Sequence, residues 1–286
     1  MQVRFWGTRG SIPAPGPTTM RYGGNTSCVE VRLDDGALLI FDAGTGIRAL
    51  GEALLAHPAP VRAHLFLSHA HWDHIQGLPF FAPAYSAGTE LTILGPEHGQ
   101  LTLAKIVMGQ MQSPYFPIPM HAMAAQIEFV KLGEGSRVEL PNGATVEAGL
   151  LNHPGCTLGY RLTANGKVLT YTTDNEPFGD AAPSQHLAQP SRHVSLAREA
   201  DLLIQDAQYT PEEYQSHRVG WGHSTYLDAL HVAQQANARR LVLFHHDPSH
   251  TDAEVDHIVA QCRAALAQRG LTVECLGAAE GQVLVL

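Results

Sequence analysis

The sequence predicts an α/β domain whose sheets are covered by helices. Three observations predict it. Short apolar runs of strand length recur along the chain, stretches with helical spacing intervene, and no apolar run nears the ~20 residues needed to cross a bilayer. The first run, Leu38–Phe41, is followed by Ile47, Leu50 and Leu54 at i, i+3 and i+7, one face of a helix. Runs at 65–67, 91–94, 168–171, 202–204, 241–244 and 283–286 read as further strands. A second helix is expected from about Thr225 to Asn237. A third opens on the capping box Thr251-Asp252-Ala253-Glu254, continues through Val255, Ile258, Val259 and Cys262, and stops near Gly270. Pro and Gly cluster at 13–24, 77–99 and 109–119, marking loops, and the last of these, with Tyr115 and Phe116 between prolines, is apolar enough for a lid or an interface. No internal repeat and no interdomain linker is evident, so residues 1–286 are expected to form one domain.

Composition narrows the function. With 44% hydrophobic and 16% charged residues the chain is neither disordered nor a coiled coil. Eighteen basic against 27 acidic residues leave a net charge of −9, which argues against general nucleic-acid binding, because phosphate backbones demand a basic footprint. The N-terminal residues lack an apolar core of signal-peptide type, and Cys28, Cys156, Cys262 and Cys275 show no CxxC spacing; a reducing cytoplasm is the expected compartment. Histidine stands out, at 17 residues.

The strand 65–67 runs through Ser68 directly into His69-Ala70-His71-Trp72-Asp73-His74. At a strand end, residues i and i+2 point the same way, so His69 and His71 can present two imidazoles to one ion. Asp73 and His74 follow as the chain turns and can face a second. Other candidates sit just past strands or in turns: Asp42 before Gly44, His153 in Asn152-His153-Pro154-Gly155, Asp174 after Thr172-Thr173, and His245 after Phe244. Imidazole and carboxylate without thiolate suit Zn²⁺ or Mn²⁺.

These residues resemble the metallo-β-lactamase-fold hydrolases. HxHxDH, His153, Asp174 and His245 match that family's ligand pattern, with Asp42 as its early acidic motif, and the resemblance runs from Trp6 to about Pro248. It implies a four-layer αββα sandwich holding two divalent ions, Zn²⁺ foremost and Mn²⁺ as the alternative. His69, His71 and His153 would hold one ion, Asp73, His74 and His245 the other, and Asp174 would bridge. Asp42 would tie the HxHxDH loop in place. His246 competes with His245, and alignment on the strand 241–244 favours the latter.

Gly222-His223-Ser224-Thr225 is similar to the His-Ser-Thr motif of the family's phosphodiesterase branch, which includes the tRNA 3′-processing endonucleases and small cyclic-phosphate phosphodiesterases. The resemblance implies that His223 serves phosphate chemistry, oriented by Asp206, with Asp73 doubling as a base for the attacking water. The opening segments 6–13 and 22–28 resemble those of the small phosphodiesterases, which makes Asn25 a candidate substrate contact. The endonucleases carry a long basic arm, whereas segment 99–130 holds one lysine, Lys105, and no arginine. A small cyclic nucleotide or cyclic phosphate is therefore the expected substrate, with tRNA 3′ processing and a non-catalytic, metal-bound nucleotide sensor as alternatives. Relatives in this branch are commonly homodimers, which implies one here, and no membrane partner is expected.

Overall fold

In the computed structural model, which describes residues 1–57, 59–176 and 191–286, the apolar runs become strands of two seven-stranded sheets, all of them inner except the last, 283–286, which lies at an edge. Along the chain, β1 (Gln2–Gly7), β2 (Cys28–Arg32), β3 (Leu38–Phe41), β4 (Arg62–Phe66), β5 (Glu90–Gly95) and β6 (Gln126–Lys131) build the first sheet. The second contains β7 (Arg137–Glu139), β8 (Thr145–Leu150), β9 (Leu158–Ala164), β10 (Lys167–Thr172), β11 (Leu202–Asp206), β12 (Arg240–Phe244) and β13 (Glu274–Gly277). The last strand, β14 (Val283–Val285), returns to pair with β1. The two sheets share one plan. In spatial order β14-β1-β2-β3 pair antiparallel and β3-β4-β5-β6 parallel, while β7-β8-β9-β10 pair antiparallel and β10-β11-β12-β13 parallel.

The period-two alternation of strands sorts their side chains into separate cores. From β3, Leu39 and Phe41 enter the space between the sheets, and Leu38 and Ile40 face outward beneath the helix Ile47–Leu55. Between the sheets Phe41 lies 5.5 Å from Phe66, 5.9 Å from Tyr160 and 5.5 Å from Tyr171, ring to ring. Truncating such a buried aromatic to alanine costs about 3–5 kcal/mol. On the outer face of the second sheet, Leu203, Leu241 and Leu243 pack under the helices Tyr226–Gln235 and Asp252–Gln268. Each opens on a capping box, Thr225 with Asp228 and Thr251 with Glu254. The layers run helix, sheet, sheet, helix, as the resemblance implied.

Apolar runs revealed β3, β4, β5, β10, β11, β12 and β14 but not β1, β2, β9 or β13, nor β6 and β7, whose residues alternate between exposed and partly buried, nor β8, which alternates partly buried with buried. Residues 109–119 are irregular beyond the helix Leu103–Gly109, as expected. Within that segment Phe116 packs edge-on against Phe80 at 5.6 Å, while Tyr115 remains 82% exposed.

Candidate metal centre

The parallel strands bring their C-terminal ends to one edge of the sandwich, and the chemistry collects there. Asp42, Asp174 and His245, each within two residues of the end of β3, β10 or β12, adopt left-handed φ values of 62°, 52° and 64°. Non-glycine residues in that region cost of order 1–3 kcal/mol each and cluster at functional sites. Here the turn-back folds each polar side chain over the strand ends instead of letting it continue outward.

Four imidazoles are oriented from behind in the same way. His74 donates Nδ1–H to Asp42 Oδ2 at 2.7 Å, His245 to Gln208 Oε1 at 3.1 Å, and His153 to the Gly222 carbonyl at 2.8 Å. His69 donates to Ser68 Oγ at 3.0 Å, since that hydroxyl gives its own proton to Asp42 Oδ2 at 2.9 Å. Each therefore turns Nε2 inward, the arrangement by which outer hydrogen bonds fix a ligand's tautomer. His71, the exposed member, brings Nδ1 to 3.1 Å from His153 Nε2.

Asp174 joins two groups. Its Oδ1 lies 3.1 Å from His74 Nε2 and 3.2 Å from His245 Nε2, with Asp73 Oδ2 3.1 Å from both imidazoles. Its Oδ2 lies 3.6 Å from His69 Nε2 and 3.6 Å from His153 Nε2. The donor atoms of His69, His71, His153 and Asp174, and those of Asp73, His74, Asp174 and His245, all fall within 4.8 Å of one another in each set. Burial would raise the Asp73 and Asp174 carboxyls, but the surrounding imidazoles hold both well below the usual range. Burial would lower His74, yet Asp174, Asp73 and Asp42 push it well above its ordinary value; this half of the cluster is built to take positive charge. Burial also keeps His153 neutral, lowered to about 4 despite Asp174. The buried His69 Nε2 has no hydrogen-bond partner in the protein. An orphaned, inward-facing nitrogen beside oxygen and nitrogen donors suits a divalent cation.

His223 stands at the rim. Its Nδ1 lies 2.8 Å from Asp206 Oδ2, and Asp206 Oδ1 accepts the Ser224 and Gln208 backbone N–H groups, each at 3.1 Å. Burial would lower this imidazole, but Asp206, Asp174 and Asp73 push it up to about 9. The loop carrying it is anchored by Glu176, which accepts from Tyr214 Oη at 2.6 Å, Gly220 N at 2.6 Å and Gly222 N at 2.9 Å. Gly222 has φ +89°, and a Cβ there would lie 2.2 Å from His153 Nδ1. Only glycine lets that carbonyl approach the imidazole so closely. Ser11, Ala70, His71, Trp72, Asp73, Asp174 and His223 line an open cleft of about 550 Å³ above the cluster.

Of the residues singled out in the sequence, His69, His71, Asp73, His74, His153, Asp174, Asp206, His223 and His245 thus converge, with Asp42 beneath them. Asp42 accepts from Ser68 N, Ser68 Oγ, His74 Nδ1 and Tyr171 Oη, bonding the HxHxDH segment to both sheets. His246 points away and lies 2.9 Å from the Ala278 carbonyl through Nε2. Asn25 is bound to Glu280, side chain to side chain at 2.9 Å and through its backbone N–H at 2.6 Å. Sequence reasoning missed Gln208, Glu176 and Tyr171. Gln208 and Glu176 each lie two residues beyond a recognised aspartate, Asp206 and Asp174, the spacing that flagged His69 and His71.

Residues 38–246 match the model of the beta-lactamase superfamily domain. The chain is 24% identical to a protein named Ribonuclease Z from Staphylococcus carnosus, over 91% of this chain and 93% of that one. The metallo-beta-lactamase fold protein YhfI from Bacillus subtilis shares its fold with a TM-score of 0.69 and 18% identity, covering 99% of this chain and 98% of that one. Human tRNase Z, short form, superposes with a TM-score of 0.65 and 22% identity, over 100% and 99% of the two chains.

Proposed function

The chain belongs to the beta-lactamase superfamily, and from that premise we propose that it is a binuclear metal-dependent phosphodiesterase hydrolysing a small cyclic nucleotide or cyclic phosphate. The observation that carries the reading is the His223–Asp206 pair, 2.8 Å apart, beside two ligand groups joined by Asp174. His69, His71 and His153 would hold one ion, Asp73, His74 and His245 the other, with Asp174 shared. The all-nitrogen-and-oxygen donor set supports Zn²⁺ first and Mn²⁺ second. Such ions supply polarisation of a phosphate and acidification of a water.

The protein's own groups do the rest. Asp206 accepts the Nδ1–H hydrogen bond of His223 and so aims Nε2–H at the departing alkoxide, which it protonates, a role suited to an imidazole held protonated at neutral pH. Asp73 accepts a proton from the attacking water. Asp42 and Gln208 keep His74 and His245 in the tautomer that faces the cluster. The cleft above is open, which supports a substrate entering from solvent.

A second reading, RNA as substrate, is favoured by relatives named Ribonuclease Z. Segment 99–130 offers Lys105 as its sole basic residue before Lys131, and the net charge of −9 also supports the smaller substrate. Metal analysis with bis(nitrophenyl) phosphate turnover tests the enzyme; bound metal without turnover would leave the metal-bound nucleotide-sensor alternative, and trace metal in active protein would overturn the metal centre. Comparing cyclic nucleotides with precursor tRNA tests the substrate, and preferential cleavage of the tRNA would overturn the first reading. A homodimer joined near 109–119 and a cytoplasmic location complete the proposal, the first tested by light scattering.

A further inference from the structure

Arg218 is held in a way the reaction described above does not use. Its guanidinium lies 4.4 Å from the Trp221 ring and 5.6 Å from the Tyr209 ring. Tyr209 in turn meets His223 edge-on, centroids 5.9 Å apart. Glu176 pins the intervening loop at Tyr214, Gly220 and Gly222. Among the described residues, Arg218 forms no ion pair, and no protein acceptor takes its N–H groups. Aromatic faces satisfy the charge without occupying the donors, which stay in the plane of a rigid fork. A flexible surface arginine would lose rotamer freedom on binding a ligand; contact with two ring faces restricts this one beforehand.

We propose that Arg218 is a specificity-determining residue that receives a second, non-scissile phosphate of the substrate. The inference rests on the phosphodiesterase reading for the placement of the scissile phosphate at the cluster. Two features direct the choice of ligand. A guanidinium fork matches phosphate oxygens two at a time. Its place one ring beyond His223 sets it apart from the phosphate under attack, so it meets a neighbouring group of the same molecule. Substrates with a single phosphate would leave Arg218 unused. Those with two, whether a linear dinucleotide, a cyclic dinucleotide or an RNA strand, would engage it, with Trp221, 53% exposed, alongside.

The test uses the metal-loaded protein and hydrolysis-resistant phosphorothioate-linked diadenylate, with and without a 5′-phosphate, measured by isothermal titration calorimetry. The phosphorylated form should bind at least about tenfold tighter, the usual worth of charged hydrogen bonds. R218Q should reduce that ratio to below about twofold, and R218K, which keeps the charge without the planar fork, should retain part of it. Equal affinities for the two forms in the unaltered protein, or an undiminished ratio in R218Q, would overturn the assignment. Competition by cyclic diadenylate or by a short RNA, lost in R218Q, identifies which two-phosphate source is preferred. Turnover separates the two readings. A ratio that depends on Arg218 without hydrolysis of any phosphodiester overturns the phosphodiesterase and leaves the anion site standing; hydrolysis with a ratio near one does the reverse.

Discussion

Gly222→Ala should cost the cluster one of the two ions proposed for it. Two effects combine. The residue has φ +89°, where an L side chain costs roughly 1–2 kcal/mol. The new Cβ would also lie 2.2 Å from His153 Nδ1 and 2.5 Å from Pro154 Cδ, against the ~3.5–4 Å of normal carbon contact, so one of them must move by about 1 Å or more. That movement breaks the 2.8 Å bond from His153 Nδ1–H to the Gly222 carbonyl, the bond that aims Nε2 at the cluster. Losing an orienting partner of this kind lowers metal affinity about 10–100-fold, or ~1.4–2.7 kcal/mol. The effect should fall on the group containing His69, His71 and His153 and spare the group containing His74 and His245. Gly220→Ala is the matched control, because Gly220 has φ +85° but nothing within 4 Å of its would-be Cβ. Chelator-buffered zinc titration reads both variants. G222A should bind about one ion at a free-zinc level where the unaltered protein binds about two, and G220A should lose stability without losing an ion. Two ions bound to G222A with undiminished affinity, or equal losses in both variants, would refute the reasoning.

His223→Ala should retain both ions and lose roughly 10²–10⁴ in turnover, most on alkyl phosphodiesters and least on nitrophenyl esters, whose leaving groups need no proton; an equal loss on both classes would mean that it stabilises phosphate oxygens instead. Tyr171→Phe removes the 2.7 Å hydrogen bond from a buried hydroxyl to Asp42 and should lower stability by about 1–3 kcal/mol in urea, and an unchanged midpoint would show that Asp42 does not need this donor. Burial lowers His246 to about 3, so below its unfolded value near 6.5 the unfolded chain takes up a proton that the folded one refuses. His246 therefore contributes fully above about pH 6.5 and loses ~1.4 kcal/mol per pH unit as pH falls toward 3. H246Q should flatten the urea-derived stability slope between about pH 6 and 5 by close to one proton, and an unchanged slope would contradict this.

The residues that converge were legible because they stand where a strand pattern stops. Asp42, His69, Asp174 and His245 are flagged by the apolar runs before them, and a strand end aims its residues at the neighbouring strand ends. Asp206 and His223 were legible only through the family resemblance, since neither strand period nor helical spacing joins residues 17 apart across a loop. Glu176 was legible only as a residue two beyond Asp174, and Arg218 not at all. Their roles depend on the path of 214–222, where backbone N–H groups and ring faces become the partners, and no side-chain pattern encodes that path. Asn25 shows another limit: its side chain is paired with Glu280, 255 residues away, and so distant a pairing leaves no local mark.

The shared plan of the two sheets has a consequence for how the protein comes into being. The first sheet's strand ends carry Asp42 and the 69–74 segment, and the second's carry Asp174, Asp206 and His245. Contacts across the seam span 129 residues from Asp42 to Tyr171 and 171 from His74 to His245. Pairings of such separation form slowly, because loop closure must precede any reward. A growing chain can lay down the whole first half of its ligands and still hold nothing that could act on a phosphate. Chemical competence arrives only once His245 has emerged and the halves dock, so a copy that stops short of it is inert rather than indiscriminately reactive.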